Sequence, residues 1–172
     1  MEELERTYLA KYIPEGLEKC AAKRIVDRYI PLESQHPVLR LRKSGEKMEL
    51  TKKQPAKEGD ASCQIEETIP LNKEEYAALF RLPAKAVVKT RYIYPCGEVV
   101  AEVDVFEEDL SGLVLVDVEF ENVTAKENFK MPEFCLAEVT QDKSTAGGML
   151  AGKKYADIQA YLNRAGYKKI IA

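Results

Sequence analysis

Along most of the chain apolar and polar residues alternate with a period of two, the spacing that puts successive side chains on opposite faces of a β-strand. The alternation predicts strands over 2–9, 24–30, 38–43, 46–53, 62–69, 86–94, 98–107, 113–121 and 134–140. Two pairs read as hairpins, because Ser44-Gly45 separates 38–43 from 46–53 and Pro95-Cys96-Gly97 separates 86–94 from 98–107. Helical spacing interrupts the run three times. Pro14 to Lys23 sets Leu17, Cys20 and Ala21 at helical intervals, Asn72 caps a segment over 73–82 that Pro83 stops, and a segment over about 155–165 ends at Gly166. The expected fold is α+β and β-rich, a closed antiparallel barrel of about eight strands with a few outer helices, since closure removes the exposed edges of so many strands.

The polar positions of these strands carry charge, and the charge is sorted by sign. Arg40 and Arg42 alternate with Leu39 and Leu41, and Lys89 and Arg91 with Val88 and Thr90. Other strands offer only acids: Glu3 and Glu5, Glu102 and Asp104, Asp117 and Glu119, with Glu138 on the last. Two readings stand open from the residues alone. Charged strand faces are usually solvated, yet surfaces selected for solubility mix the signs. If the charged faces point into a barrel, the acids can hold a hard divalent cation through oxygen while the bases grip phosphate oxygens.

Composition narrows the classes. The 172 residues suit one domain spanning 1–172, with 45% hydrophobic and 32% charged residues. No apolar stretch approaches the roughly 20 residues that cross a bilayer, and the acidic start MEELERTYLA lacks the form of a secretory signal, so a soluble cytoplasmic protein without a membrane partner is expected. A net charge of -3 gives no global field for nucleic acid, which is excluded as a partner. Cys20, Cys63, Cys96 and Cys135 form no C-x-x-C pair and read as free buried thiols. His36 precedes Pro37 in a polar stretch and reads as a surface loop residue, Gly147-Gly148 as a flexible connection, and Lys168 to Ala172 as a packed final turn or a frayed end.

The ordered series of motifs resembles the CYTH superfamily, also called triphosphate tunnel metalloenzymes. Glu3-Leu4-Glu5-Arg6-Thr7 is similar to the E-x-E-x-K strand, Leu39 to Lys43 to the arginine strand, and Leu50-Thr51-Lys52-Lys53 to the T-x-K strand. Gln64 to Pro70 resembles E-x-E-x-x-I-P with Gln64 in place of one acid, and Val88 to Tyr92 resembles the K-T-R-Y strand. Ala101 to Phe106, Gly112 to Phe120 and Ala137 to Asp142 match the later acidic strands.

The resemblance implies metal-dependent hydrolysis of a triphosphate, with inorganic triphosphate or short polyphosphate the first substrate to consider, and a non-catalytic polyphosphate- or nucleotide-binding module or a nucleoside or thiamine triphosphatase as the alternatives. It implies that Arg40, Arg42, Lys53, Lys89, Arg91 and Lys143 bind phosphate. Glu3, Glu5, Glu102, Asp104, Asp117, Glu119 and Glu138 would supply or support a site for Mg2+ or Mn2+, and Glu5, Lys89 and Glu66 are the candidate catalytic residues. The implied partners are a triphosphate-containing small molecule and a second copy of the chain in a homodimer. Two departures bear on activity: Thr7 stands where the family has lysine, and Gln141 to Thr145 has no aromatic where the family shows R-Y. Arg6, Lys43 and Lys52 fall on the opposite parity and should face solvent outside the barrel.

Overall fold

A computed structural model describes residues 2–171, and Met1 and Ala172 lie outside the described residues. Eight strands run antiparallel: β1 (Glu2–Ala10), β2 (Ala22–Ile30), β3 (Leu39–Ser44), β4 (Lys47–Lys57), β5 (Asp60–Pro70), β6 (Lys85–Cys96), β7 (Val99–Phe106) and β8 (Val114–Phe120). Their order is β5-β4-β3-β2-β6-β7-β8-β1, and β1 pairs back onto β5, so the sheet closes into a barrel. A ninth strand, β9 (Cys135–Glu138), lies outside that ring on β1. Strand β1 divides one edge between two neighbours, pairing through Glu2 to Leu4 with β5 and through Tyr8 to Ala10 with β9.

All nine strands read from the alternation are present. Strands β4 and β5 run further than the alternation suggested, through Pro55 to a turn at Glu58-Gly59, with a register irregularity between Pro55 and Lys57. A ladder tolerates proline at such an irregularity because one N–H is already unpaired there. The 98–107 hairpin turns at Gly97-Glu98, with Pro95 and Cys96 still inside β6.

The helices follow the caps. In α1 (Lys73–Phe80) the Asn72 side chain accepts from the Glu75 N–H at 2.9 Å while the Glu75 carboxylate accepts from the Asn72 N–H at 2.9 Å, a reciprocal capping box. The expected helix over 14–23 is only a 3-10 turn at Leu17–Lys19. Gly16 enters it at φ 80, and residues from Ala22 are claimed by the ladder to β6. Two short helices had no clear period: α2 (Val123–Asn128), capped by Asn122, and α3 (Gly147–Leu150). The last helix, α4, spans Tyr155–Arg164, and Gly166 follows it at φ 75. The tail docks where the Ile170 N–H donates to the Gly112 carbonyl at 3.0 Å.

Two apolar clusters position the site. One lies on the outer face, where Tyr8, Val103, Val116, Val118 and Phe120 are covered by Phe129 and Phe134. The other continues the inner face. Leu9, Val87, Phe106 and Leu115 share the parity of the charged residues, and they pack against Leu150 of α3 and Ile158 and Leu162 of α4. One end of the inner face is thus a dry floor, and further along the same strands the inward positions turn charged.

Candidate active site

The charged inward positions surround a cavity of about 430 Å³. Its lining brings together Glu3, Glu5, Arg40, Arg42, Lys53, Glu66, Lys89, Arg91, Glu102, Asp104, Asp117, Glu119 and Lys143 from seven strands of the barrel and the segment after β9. Phe106, Leu115 and Val139 of the floor close it on one side. The charge sorted by sign along the sequence is therefore interior, and the solvated-face reading falls. Lys43 and Lys52 are exposed as the parity required.

Inside the cavity most cations are already held by acids. Arg91 donates through Nε and Nη2 to Asp104 at 2.7 Å each, and also reaches Glu102 and Asp117. Lys89 donates to Asp104 Oδ2, the oxygen that also accepts from Arg91 Nη2. The Lys53 ammonium lies 3.0 Å from Glu3 and 2.7 Å from Glu5. Arg42 makes a bidentate pair with Asp27, both contacts at 2.7 Å. Arg40 is the least satisfied: Nη2 meets Glu66 at 3.3 Å, and Nε is buried without a hydrogen-bond partner among the described residues.

Proton affinities follow from these pairings. Burial pushes the Asp104 carboxyl up, but Arg91 and Lys89 more than offset it and hold the group well below the usual carboxylate range. Burial, with the neighbouring Arg91 and Arg42 cations, lowers Lys89 despite Asp104. Glu5 is raised by burial and by Asp117 and Glu3, against the pull of Lys53. Glu119 is raised by burial and by Glu102, Glu3 and Glu5.

Glu5 and Glu119 thus lie in an acid-rich part of the lining. The lining holds eight acids (residues 3, 5, 66, 102, 104, 117, 119 and 142) and six bases (40, 42, 53, 89, 91 and 143), a difference of two negative charges. No ready-made cluster of three metal-ligating side chains is found among the described residues. That is compatible with Mg2+, which takes one or two carboxylates and completes its shell with water and substrate oxygens. Glu3, Glu5, Glu102, Asp117 and Glu119 offer hard oxygen donors of the right type.

One candidate does not join the others. Glu138 sits opposite Tyr8 across β1 and β9, and Tyr8 faces the outer cluster, so the Glu138 carboxylate turns outward. It lies 3.6 Å from Arg6, accepts from the Thr140 hydroxyl at 2.8 Å, and is 43% exposed. Arg6 is outward as expected but partly covered rather than free. Gly147 and Gly148 are not a flexible connection, because they form α3 and Gly148 is buried against the Pro37 carbonyl. Of the four free cysteines only Cys135 is buried, and burial pushes its thiol up to about 12.

Sequence reasoning missed Asp27, Asp142 and Thr140. The signal for Asp27 was a lone acid at the parity of Ile25 and Tyr29, directly opposite Arg42 in the β2–β3 register. His36 is an exposed loop residue yet lines the cavity, and burial together with Lys143 lowers its proton affinity. Thr7 is inward, donating its hydroxyl to Asp117 at 2.7 Å.

The fold and site together are a closed antiparallel barrel whose interior carries acids and bases on separate strands. Known proteins share this fold and sequence. A curated inorganic triphosphatase of Nitrosomonas europaea is 34% identical over 154 residues, which cover 88% of this chain and 97% of that protein. The crystal structure of an inorganic triphosphatase superposes with a TM-score of 0.64 at 28% identity, covering 88% of this chain and 95% of the other. A Pyrococcus horikoshii protein shares the fold at a TM-score of 0.51 and 19% identity, covering 97% and 92%. No family model matches the chain. The chain belongs to the CYTH, or triphosphate tunnel, superfamily.

Proposed function

We propose that the protein is a divalent-metal-dependent triphosphatase acting on inorganic triphosphate in the cytoplasm. The observation that carries this is the charge of the cavity: phosphate-gripping cations stand among an excess of two acids. A polyanion entering a net negative, partly desolvated space is repelled unless cations accompany it. Mg2+ or Mn2+ held by Glu3, Glu5, Glu102, Asp117 and Glu119 would neutralise phosphate charge and polarise the bond to be broken.

The chain's own residues do the rest by position. Phosphoryl transfer asks for alignment and charge stabilisation more than covalent chemistry. Arg40, with its unpartnered Nε, and Lys143, at the rim, are the readiest donors to phosphate oxygens. Lys53 and Arg91, now paired with Glu3, Glu5, Glu102 and Asp117, would be released toward phosphate oxygens if those acids held the metal, while Lys89 would donate to phosphate from its place beside Asp104. Glu5 and Glu66, both of which line the cavity, are the proposed acceptors of a hydrogen bond from the attacking water. The relative that bears the name inorganic triphosphatase supports this substrate.

Phosphate release from inorganic triphosphate, ATP and thiamine triphosphate, each with Mg2+, Mn2+ or chelator, tests the reading. Metal-dependent turnover of inorganic triphosphate is expected. Tight binding without release favours the second reading, a capture module. That reading rests on Thr7, whose hydroxyl already serves Asp117 and brings no ammonium to the site. The Thr7→Lys variant then decides, since gain of turnover identifies the missing cation as the cause.

A further inference from the structure

Behind the cavity wall lies a carboxylate that no ligand can touch. Asp27 is 1% exposed and is absent from the lining, while its partner Arg42 is part of it. Both Asp27 oxygens are taken by Arg42, Oδ1 by Nε and Oδ2 by Nη2. On its own strand the neighbours of like parity are Ile25 and Tyr29, both buried, and across β2–β6 it stands opposite Val87.

An apolar residue would suit that position for packing. A buried ion pair is a poor way to gain stability, because desolvation consumes most of the attraction, and well-packed apolar replacements are often as stable. Its presence calls for an account in which direction matters. A guanidinium fork held at two of its nitrogens has one orientation, and neither hydrogen bond uses Nη1. Holding a donor in place before the ligand arrives removes the ordering cost that a free arginine would bring to binding. Asp27 also lies within the field of Arg40 and Lys89, which lower its carboxyl along with Arg42 although burial alone would raise it. It is thus a shared counter-charge behind cations of two strands that otherwise repel one another.

Building on the triphosphatase reading, we propose that Asp27 is the positioning residue of the phosphate-binding wall: it fixes Arg42 so that the free edge of the guanidinium meets a phosphate oxygen of a short polyphosphate. Asp27 does this without contacting the ligand.

The test measures binding of a non-hydrolysable imido-bridged triphosphate in Mg2+ by calorimetry, alongside melting temperature, for the unsubstituted protein and for Asp27→Asn, Asp27→Glu, Arg42→Gln and Asp27→Glu with Arg42→Gln. Asp27→Glu keeps the charge and so the fold, but the added methylene displaces the fork. It is expected to weaken binding at least about tenfold, as Asp27→Asn does wherever that variant folds. In the Arg42→Gln background the Asp27→Glu change is expected to have no further effect, which a merely structural role would not produce. Wild-type affinity in Asp27→Glu, or an equal further loss in the Arg42→Gln background, overturns the proposal. If the unsubstituted protein itself binds nothing, the triphosphatase reading falls and takes this inference with it; if it binds and Asp27→Glu binds equally, only this inference falls.

Discussion

Glu5 and Glu119 face each other directly across the β1–β8 ladder, two carboxylates where a sheet ordinarily sets opposite charges. Strands β1 and β8 hold this pair together because Thr7 bonds Asp117 one step away and Leu9 packs beside Leu115 another step on. Lys53, 2.7 Å from Glu5, offsets part of the repulsion, and the divalent cation proposed above would offset more.

Replacing Glu119 with Gln should therefore stabilise the metal-free protein. Relief of a like-charge cross-strand pair is worth a few tenths to about 1 kcal/mol, or a melting temperature higher by about 1–4 °C for a chain of this size. Glu5 and Glu119 have folded-state values above their unfolded ones, so their contribution is favourable below the ordinary carboxylate range and is lost as pH rises through the raised values. The advantage of Glu119→Gln should accordingly grow from pH 4.5 to pH 8 and shrink when Mg2+ is added. Thermal melts at both pH values, with and without Mg2+, read all three effects.

Asp104 behaves in the opposite sense. It is 1% exposed and anchors both Lys89 and Arg91, so Asp104→Asn leaves two cations short of a partner and should cost roughly 3–5 kcal/mol in urea unfolding at pH 7. Its folded value is depressed, which means that its stabilisation is present above the ordinary carboxylate range and is lost as pH falls toward the folded value. The gap between wild type and variant should narrow below about pH 4.

Parity supplies a control pair. Arg91→Ala removes an inward guanidinium and should abolish triphosphate binding, whereas Lys52→Ala removes an exposed outward charge and should leave it within twofold, a difference of under about 0.5 kcal/mol. Calorimetric titration of the two variants side by side measures the contrast, and equal behaviour would refute the assignment of faces.

Gly148 carries a packing prediction. A Cβ there would sit 2.1 Å from the Pro37 carbonyl oxygen, which is backbone and cannot swing aside. Gly148→Ala should cost about 1–3 kcal/mol by overpacking and should disturb the 36–38 loop that lines the cavity. Urea unfolding gives the cost, and triphosphate affinity reports the disturbance.

How much of this was legible beforehand depended on period and partner. Alternation located all nine strands because apolar and polar side chains fall on opposite faces of the ladder, and a one-residue slip would turn Arg40 or Glu102 outward at once. Asn72 announced α1 through its cap, while α3 was hidden because Gly147 and Gly148 carry no helical pattern and lie close against Tyr29 and Pro37, a tertiary contact that the local sequence does not show. The segment 14–23 had helical spacing but lost to the β2–β6 ladder, a tertiary competition that local propensity does not see. Glu138 shared a motif with the inward acids, yet its direction is set by pairing with β1 outside the ring. Asp27 was passed over because one acid among apolar residues carries no pattern until Arg42 is seen opposite.

The ring is joined to itself along only a short stretch, from Glu2 beside Ile65 to Leu4 beside Cys63, whereas β1 and β8 run together from Leu4 to Leu9. A zip with few teeth is the first to part, since each lost pair of backbone hydrogen bonds there is a larger share of the total. Glu3 sits on that seam and is tied to Lys53 across it. The seam that closes the wall therefore carries, at Glu3, one half of an ion pair whose other half, Lys53, faces the cavity from β4, so the closure of the hoop and the charge of its interior meet in one contact.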